Sequence, residues 1–152
     1  MKRIFKYIMF IFLLLLIPVV LLYVPIGNNI ILKMHTNELK HVQLNAPYDI
    51  VAEDNECGKL VGNGNGMLYF SALLIRSKED LIWENNNWED VFLIEVNDTS
   101  FYDFINGDDY GVYCKNIKKK LNGISNTKNY YVLYLFKNAP FDSIWNNDLR
   151  AH

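Results

Sequence analysis

The sequence predicts an α+β protein: an N-terminal transmembrane helix followed by a small, mostly antiparallel sheet domain with one or two short helices. Three observations carry that expectation. Residues 7–26, YIMFIFLLLLIPVVLLYVPI, run twenty positions without a charge. Later stretches at 67–76, 91–96 and 130–136 are dense in β-branched, aromatic and aliphatic residues and are bounded by turn formers, as buried strands are. The connections between these stretches are mostly short, which favours antiparallel pairing with helices laid against the sheet.

The apolar run comes first. Twenty helical residues rise about 30 Å, the thickness of a bilayer's hydrocarbon layer. A core helix of that length in a soluble protein would show a polar face, and this one shows none. Pro18 falls inside it, which membrane helices tolerate. Tyr7 and Tyr23 lie near its ends, where amphipathic rings favour the membrane–water interface. A cleaved signal peptide would end in small residues, whereas this run ends Leu-Leu-Tyr-Val-Pro-Ile-Gly, so an uncleaved signal anchor is expected. The expected organisation is a basic start and anchor at 1–27, a juxtamembrane stalk at 28–46, with a helical continuation of the anchor as the alternative, and a folded domain at 47–152.

Charge sets the expected orientation. The chain carries 15 basic and 17 acidic residues, a net −2. Lys2, Arg3 and Lys6 all precede the span, and no cluster of equal density follows it. Basic flanks stay cytoplasmic, so the domain is expected outside the cell membrane, with the chain crossing once. Without those three residues the remainder has 12 basic against 17 acidic, a net −5. Such a domain is a poor nucleic-acid partner, since phosphates call for a basic face. Lys118-Lys119-Lys120 is the local exception; it reads as a solvated turn or helix face, with contact to anionic lipid as the alternative.

Within the domain, residues 49–62 alternate imperfectly and suggest an exposed strand. Residues 67–76, MLYFSALLIR, are apolar on both faces and suit a central strand covered on both sides. Ser77 with Asp80 resembles a helix N-terminal cap, predicting a short helix over 78–86 with Leu81 and Ile82 inward. Residues 91–96 form the next buried strand. Residues 101–105 are ambiguous, and 110–114 look like a strand after the turn 106–109. Asn122-Gly123 marks a turn in a polar stretch, 130–136 is the last strong strand, and a helical turn is expected around Ile144 and Trp145.

The most conspicuous motif is GKLVGNGNGMLYF at 58–70. A phosphate-cradling loop would lead into a helix, because helix-terminal N–H groups point at the anion. A Walker loop would also need Lys and then Ser or Thr after its last glycine, yet Gly66 is followed by Met-Leu. A turn between strands fits better, with Asn63-Gly64 and Asn65-Gly66 as alternative registers. A binding loop whose bare backbone approaches a ligand is the sharper alternative, and it makes Gly62, Asn63, Gly64, Asn65 and Gly66 candidate binding residues.

The closing DLRAH places Asp148, Arg150 and His152 at alternate positions. Asp148 and His152 together offer acid–base groups, though no nucleophile accompanies them. The competing reading is an Arg–Asp pair that ties down the C-terminus, and Arg150 is also a candidate binding residue. Cys57 and Cys114 either form a disulfide, which an oxidising compartment would permit, or remain separate buried thiols. His35, His41 and His152 are scattered, so no metal or cofactor is expected. Asp103, Asn106, Asp108 and Asp109 lack the spacing of a calcium loop. Trp83, Trp88 and Trp145 are candidates for core or for a protein-binding surface.

The basic start, the apolar anchor, GKLVGNGNGM before FSALLIRS and the closing DLRAH resemble a group of small uncharacterised single-pass membrane proteins of Gram-positive bacteria. That resemblance spans most of the chain. It implies a membrane location and no particular activity, so no catalytic residue is carried over. The functional expectation is a membrane-anchored extracytoplasmic binding module for a protein or envelope component, of which an immunity-like role is one version. The alternatives are an envelope hydrolase using Asp148 and His152, or an accessory subunit of a membrane complex.

Overall fold

A computed structural model describes residues 2–60, 66–83, 90–106, 111–140 and 143–151. It is an α+β protein. Helix α1 (Lys2–Lys40) is continuous through Pro18 and Pro25. Its most apolar 18 residues have a mean hydropathy of 2.9 and none of them is buried, so it is long and apolar enough to cross a membrane. The strands are β1 (Tyr48–Gly58), β2 (Leu68–Ser77), β3 (Val91–Glu95) and β4 (Tyr130–Asn138). They form one antiparallel sheet in the order β1-β2-β4-β3.

The doubly apolar 67–76 stretch becomes β2, an inner strand buried almost throughout. Its alternating side chains serve two cores. Phe70, Ala72 and Leu74 join Val132 beneath helices α2 (Thr99–Asn106) and α3 (Lys115–Leu121), which contribute Phe101, Phe104, Ile105 and Ile117. Tyr69, Leu73 and Ile75 face the other way, toward Leu32, Leu39 and Val42. The sheet is therefore sandwiched between the second half of α1 and the α2–α3 pair.

Several expectations need correction. Residues 28–40 are the helical continuation of the anchor, not a separate stalk, and Asn28, Leu32, Thr36 and Leu39 form a buried stripe that makes the helix a layer of the domain. Thr36 Oγ1 meets Ser71 Oγ at 2.8 Å where helix and β2 cross. No helix follows Ser77 as far as residue 83. Instead Ser77 Oγ donates to the Pro47 carbonyl and accepts the Glu79 N–H. The Asn45 side chain then holds the backbone of Asp80 and Ile82 in a non-helical path. The strand expected at 110–114 is a 3-10 turn, Gly111–Tyr113, leading into α3. The reason is a cap supplied from afar. Cys114 offers no side-chain cap, and Asp54 on β1 accepts the N–H groups of Asn116 (3.1 Å) and Ile117 (2.8 Å) instead. The ambiguous 101–105 stretch is helical, starting after Asp98, whose carboxylate accepts the Ser100 N–H.

β1 and β2 form a hairpin, with the ladder ending at Gly58 opposite Leu68. The Asn-Gly turn expected between them rests on residues 61–65, which lie outside the described residues. Cys57 and Cys114 are separate free thiols, both buried, in clusters on opposite faces of the sheet. The separate-thiol reading is the one the structure shows.

Candidate functional site

The C-terminal tail folds back against α1 just beyond its apolar run. Two 3-10 turns, Ile144–Asn147 and Leu149–Ala151, shape it. Asp148 sits between them and is only 1% exposed. Its carboxylate is gripped by a guanidinium fork: Arg150 Nε donates to Oδ1 at 3.0 Å and Nη2 to Oδ2 at 2.7 Å. The Arg150 backbone N–H and Asn28 Nδ2 donate to the same carboxylate, each at 3.0 Å. The hydrogen bonds from Arg150, with a further one from Asn28, outweigh the burial and hold the Asp148 carboxyl down at about 2.

Asn28 is the hub. It donates to the Trp145 carbonyl as well as to Asp148, and its own carbonyl oxygen accepts the Tyr69 hydroxyl proton. Burial raises the Tyr69 phenol to about 12, so it remains a neutral donor. Arg150 reaches further along α1, to Asn29 Oδ1 at 2.9 Å and the Pro25 carbonyl at 3.2 Å. Lys59 N–H donates to the Arg150 carbonyl at 2.6 Å, joining the tail to the end of β1.

Two glycines make these approaches feasible. A Cβ on Gly27 would lie 2.2 Å from the Trp145 ring, so only glycine lets the indole rest on the helix. Gly58 has φ +154° and lies where a Cβ would meet the Arg150 carbonyl at 3.0 Å. The first glycine of GKLVGNGNGM therefore serves contact with the tail.

Of the sequence-derived site residues, Asp148 and Arg150 are paired here. Gly66 stands beside Asn146, whose side chain accepts the Met67 N–H at 2.7 Å. Gly62, Asn63, Gly64, Asn65 and His152 lie outside the described residues, as do Asp108, Asp109 and Trp88. Asn28, Asn29, Tyr69 and Asn146 were not singled out as site residues, and Trp145 was named only as core or binding surface. The available signal was two adjacent asparagines directly after the apolar run, the first of them, Asn28, on what proved to be the buried side of the helix.

Chemically the cluster is a closed latch. Asp148 is ionised, buried and saturated with donors, which suits holding and not proton exchange. Cys57 lies beside it, with Sγ 3.7 Å from Asn29 Oδ1. Burial pushes that thiol up despite the opposing pull of Arg150, so it lacks the thiolate character of a nucleophile. Among the described residues no three His, Cys, Asp or Glu side chains converge as metal ligands.

A second feature lies on the far edge of the sheet. β3 pairs only with β4 among the described strands. The Asp90 carbonyl and the Val96 N–H both bond to β4, so by antiparallel alternation the N–H and C=O groups of Val91, Leu93 and Glu95 point outward. Beside this edge an open trough of about 680 Å³ is lined by Ile82, Trp83, Phe92, Ile94 and Tyr134, with Asp80 and Glu95 among its walls. Trp83 Nε1 is buried there without a hydrogen-bond partner among the described residues. No protein-family model, curated protein or solved structure matches this chain.

Proposed function

We propose that the chain is a membrane-anchored extracytoplasmic binding module that takes an extended, basic peptide segment of an envelope protein along the β3 edge. The observation that carries this reading is the outward row of backbone groups on β3 beside an apolar trough. Unpaired strand edges select a partner strand, and flanking pockets select its alternate side chains. Asp80 and Glu95 favour basic residues in that partner. Support for outward orientation comes from Lys2, Arg3 and Lys6 at the start of α1. Because one helix is both span and domain layer, the sheet is carried at a set angle to the lipid, as a displayed binding edge requires.

The test is a photo-reactive residue at Phe92 in intact cells, with another at Lys119 on α3 as control. A discrete adduct at Phe92 only, on a domain that external protease can cleave, is the expected result. Equal labelling at both positions would remove the β3 reading, and protection of the domain until lysis would reverse the orientation.

A further inference from the structure

The tail that closes the latch also carries apolar side chains that the domain leaves uncovered. Leu149 is 84% exposed and Ile144 is 52% exposed. Isolated exposed leucines and isoleucines are ordinary, but the position of this pair is not. Trp145, next to Ile144, stacks on Tyr23 at 6.0 Å with 23° between the rings. Tyr23 and Ile26, both largely exposed, belong to the last turns of the apolar run. Arg150, next to Leu149, binds the Pro25 carbonyl in the same turns. The exposed tail residues thus neighbour side chains fastened to the end of the span, continuous with its own apolar surface.

We propose that residues 144–150 form a membrane foot, with Ile144, Trp145 and Leu149 seated in the headgroup layer of the bilayer that α1 itself crosses. The occupant follows from continuity: wherever residues 7–26 lie in hydrocarbon, the turn holding Tyr23 and Ile26 lies at its boundary, and the tail is locked beside that turn. A Trp–Tyr pair at that level matches the interfacial preference of amphipathic rings. Arg150 and Lys59 stand at the same end of the domain, where lipid phosphates would meet them. The latch therefore has a purpose beyond closing the fold. It fixes a second lipid contact beside the helix, so the domain cannot swing about a single tether.

This inference rests on the anchoring reading, and the experiment separates the two. Full-length protein in phosphatidylcholine vesicles would carry an environment-sensitive fluorophore at Leu149→Cys, Ile144→Cys, Phe12→Cys or Lys119→Cys, one per sample. Cys57 and Cys114 are 3% and 0% exposed, which leaves the introduced thiol as the reactive one. Lipids bearing a shallow nitroxide should quench the probes at 149 and 144 at least about threefold more than the probe at 119, as an interfacial depth requires. A deep nitroxide should quench the probe at 12. If iodide in the water quenches 149 and 144 as fully as 119 while 12 stays lipid-quenched, the foot is wrong and the anchor stands. Loss of lipid quenching at 12 would overturn both. Shielding of 149 from iodide without lipid quenching would point to a protein contact and would also overturn the foot.

Discussion

The two halves of α1 present opposite kinds of surface. Up to Tyr23 its described side chains are exposed, and beyond Lys6 they are wholly apolar or aromatic with no polar stripe. The second half buries one side chain per turn, Asn28, Leu32, Thr36 and Leu39, and two of those four are polar. A segment that is apolar all round suits hydrocarbon, while a striped one needs a protein partner. The change of regime falls at Gly27-Asn28-Asn29, where the tail is fastened. The lesson is that a helix long and apolar enough to cross a membrane can continue unbroken as a structural layer of a domain. The polar residues at the join then find partners inside the protein, since buried polar groups left unpaired are costly.

That contrast can be broken most strongly by truncating the same residue type in each half. Leu39 is fully buried, so Leu39→Ala should destabilise the sheet domain by about 2–4 kcal/mol. Leu14→Ala should leave the domain's denaturation midpoint unmoved, since Leu14 touches no part of the sheet core. Denaturant titration in detergent micelles, followed by near-ultraviolet circular dichroism, measures both. Equal shifts for the two variants would show that the halves do not divide the work as described.

Acid sharpens the comparison at the join. Asp148 sits below its ordinary carboxyl value, at about 2 when folded. Between those values the unfolded chain binds the extra proton, so stability rises with pH and is lost as pH falls through the window from about 4 to about 2. The apolar run has no such group, but the Asp98 carboxyl is also held low by the Ser100 and Thr99 hydrogen bonds, so the latch's share is the part of the acid loss that Asp148→Asn removes. Its size should be no more than about 2 kcal/mol, read as the difference in midpoint between pH 5 and pH 2.5. Asp148→Asn should flatten that part of the profile and lower stability at neutral pH. An unchanged acid slope would show that Asp148 is not what ties the tail down.

The smallest expected effect lies at the helix crossing. Thr36→Val keeps the shape but removes the hydroxyl that meets Ser71, leaving Ser71 Oγ buried without that partner. A loss of about 1 kcal/mol should follow, and Thr36→Val with Ser71→Ala together should recover part of it. Thermal unfolding of the four combinations supplies the cycle. A double variant as weak as the sum of the two single ones would mean the hydroxyls do not act as a pair.

Legibility in the sequence followed the range of each signal. Residues 7–26 and strands β2, β3 and β4 were readable because hydropathy and period are carried by contiguous residues. The helix expected after Ser77 failed because Asn45, from an earlier segment, holds the backbone of Asp80 and Ile82. The start of α3 was hidden because its cap is Asp54, on another strand. The latch was half visible: alternate spacing suggested the Asp148–Arg150 pair, but nothing near them pointed to Asn28, 120 positions earlier.

By itself the sequence determined the apolar span, its basic flank, the strand-rich domain and the absence of any phosphate-loop pattern at Gly58–Gly66. These are sums over neighbouring residues, and neighbours along the chain stay neighbours in any fold. Only the tertiary structure decided that the segment after the span is a layer of the domain, that the two thiols lie on opposite faces of the sheet, and that Asn28, Tyr69, Asp148 and Arg150 share one buried network. Those outcomes depend on the path of the chain through space, where burial makes one unpaired polar group costly enough to select a single arrangement.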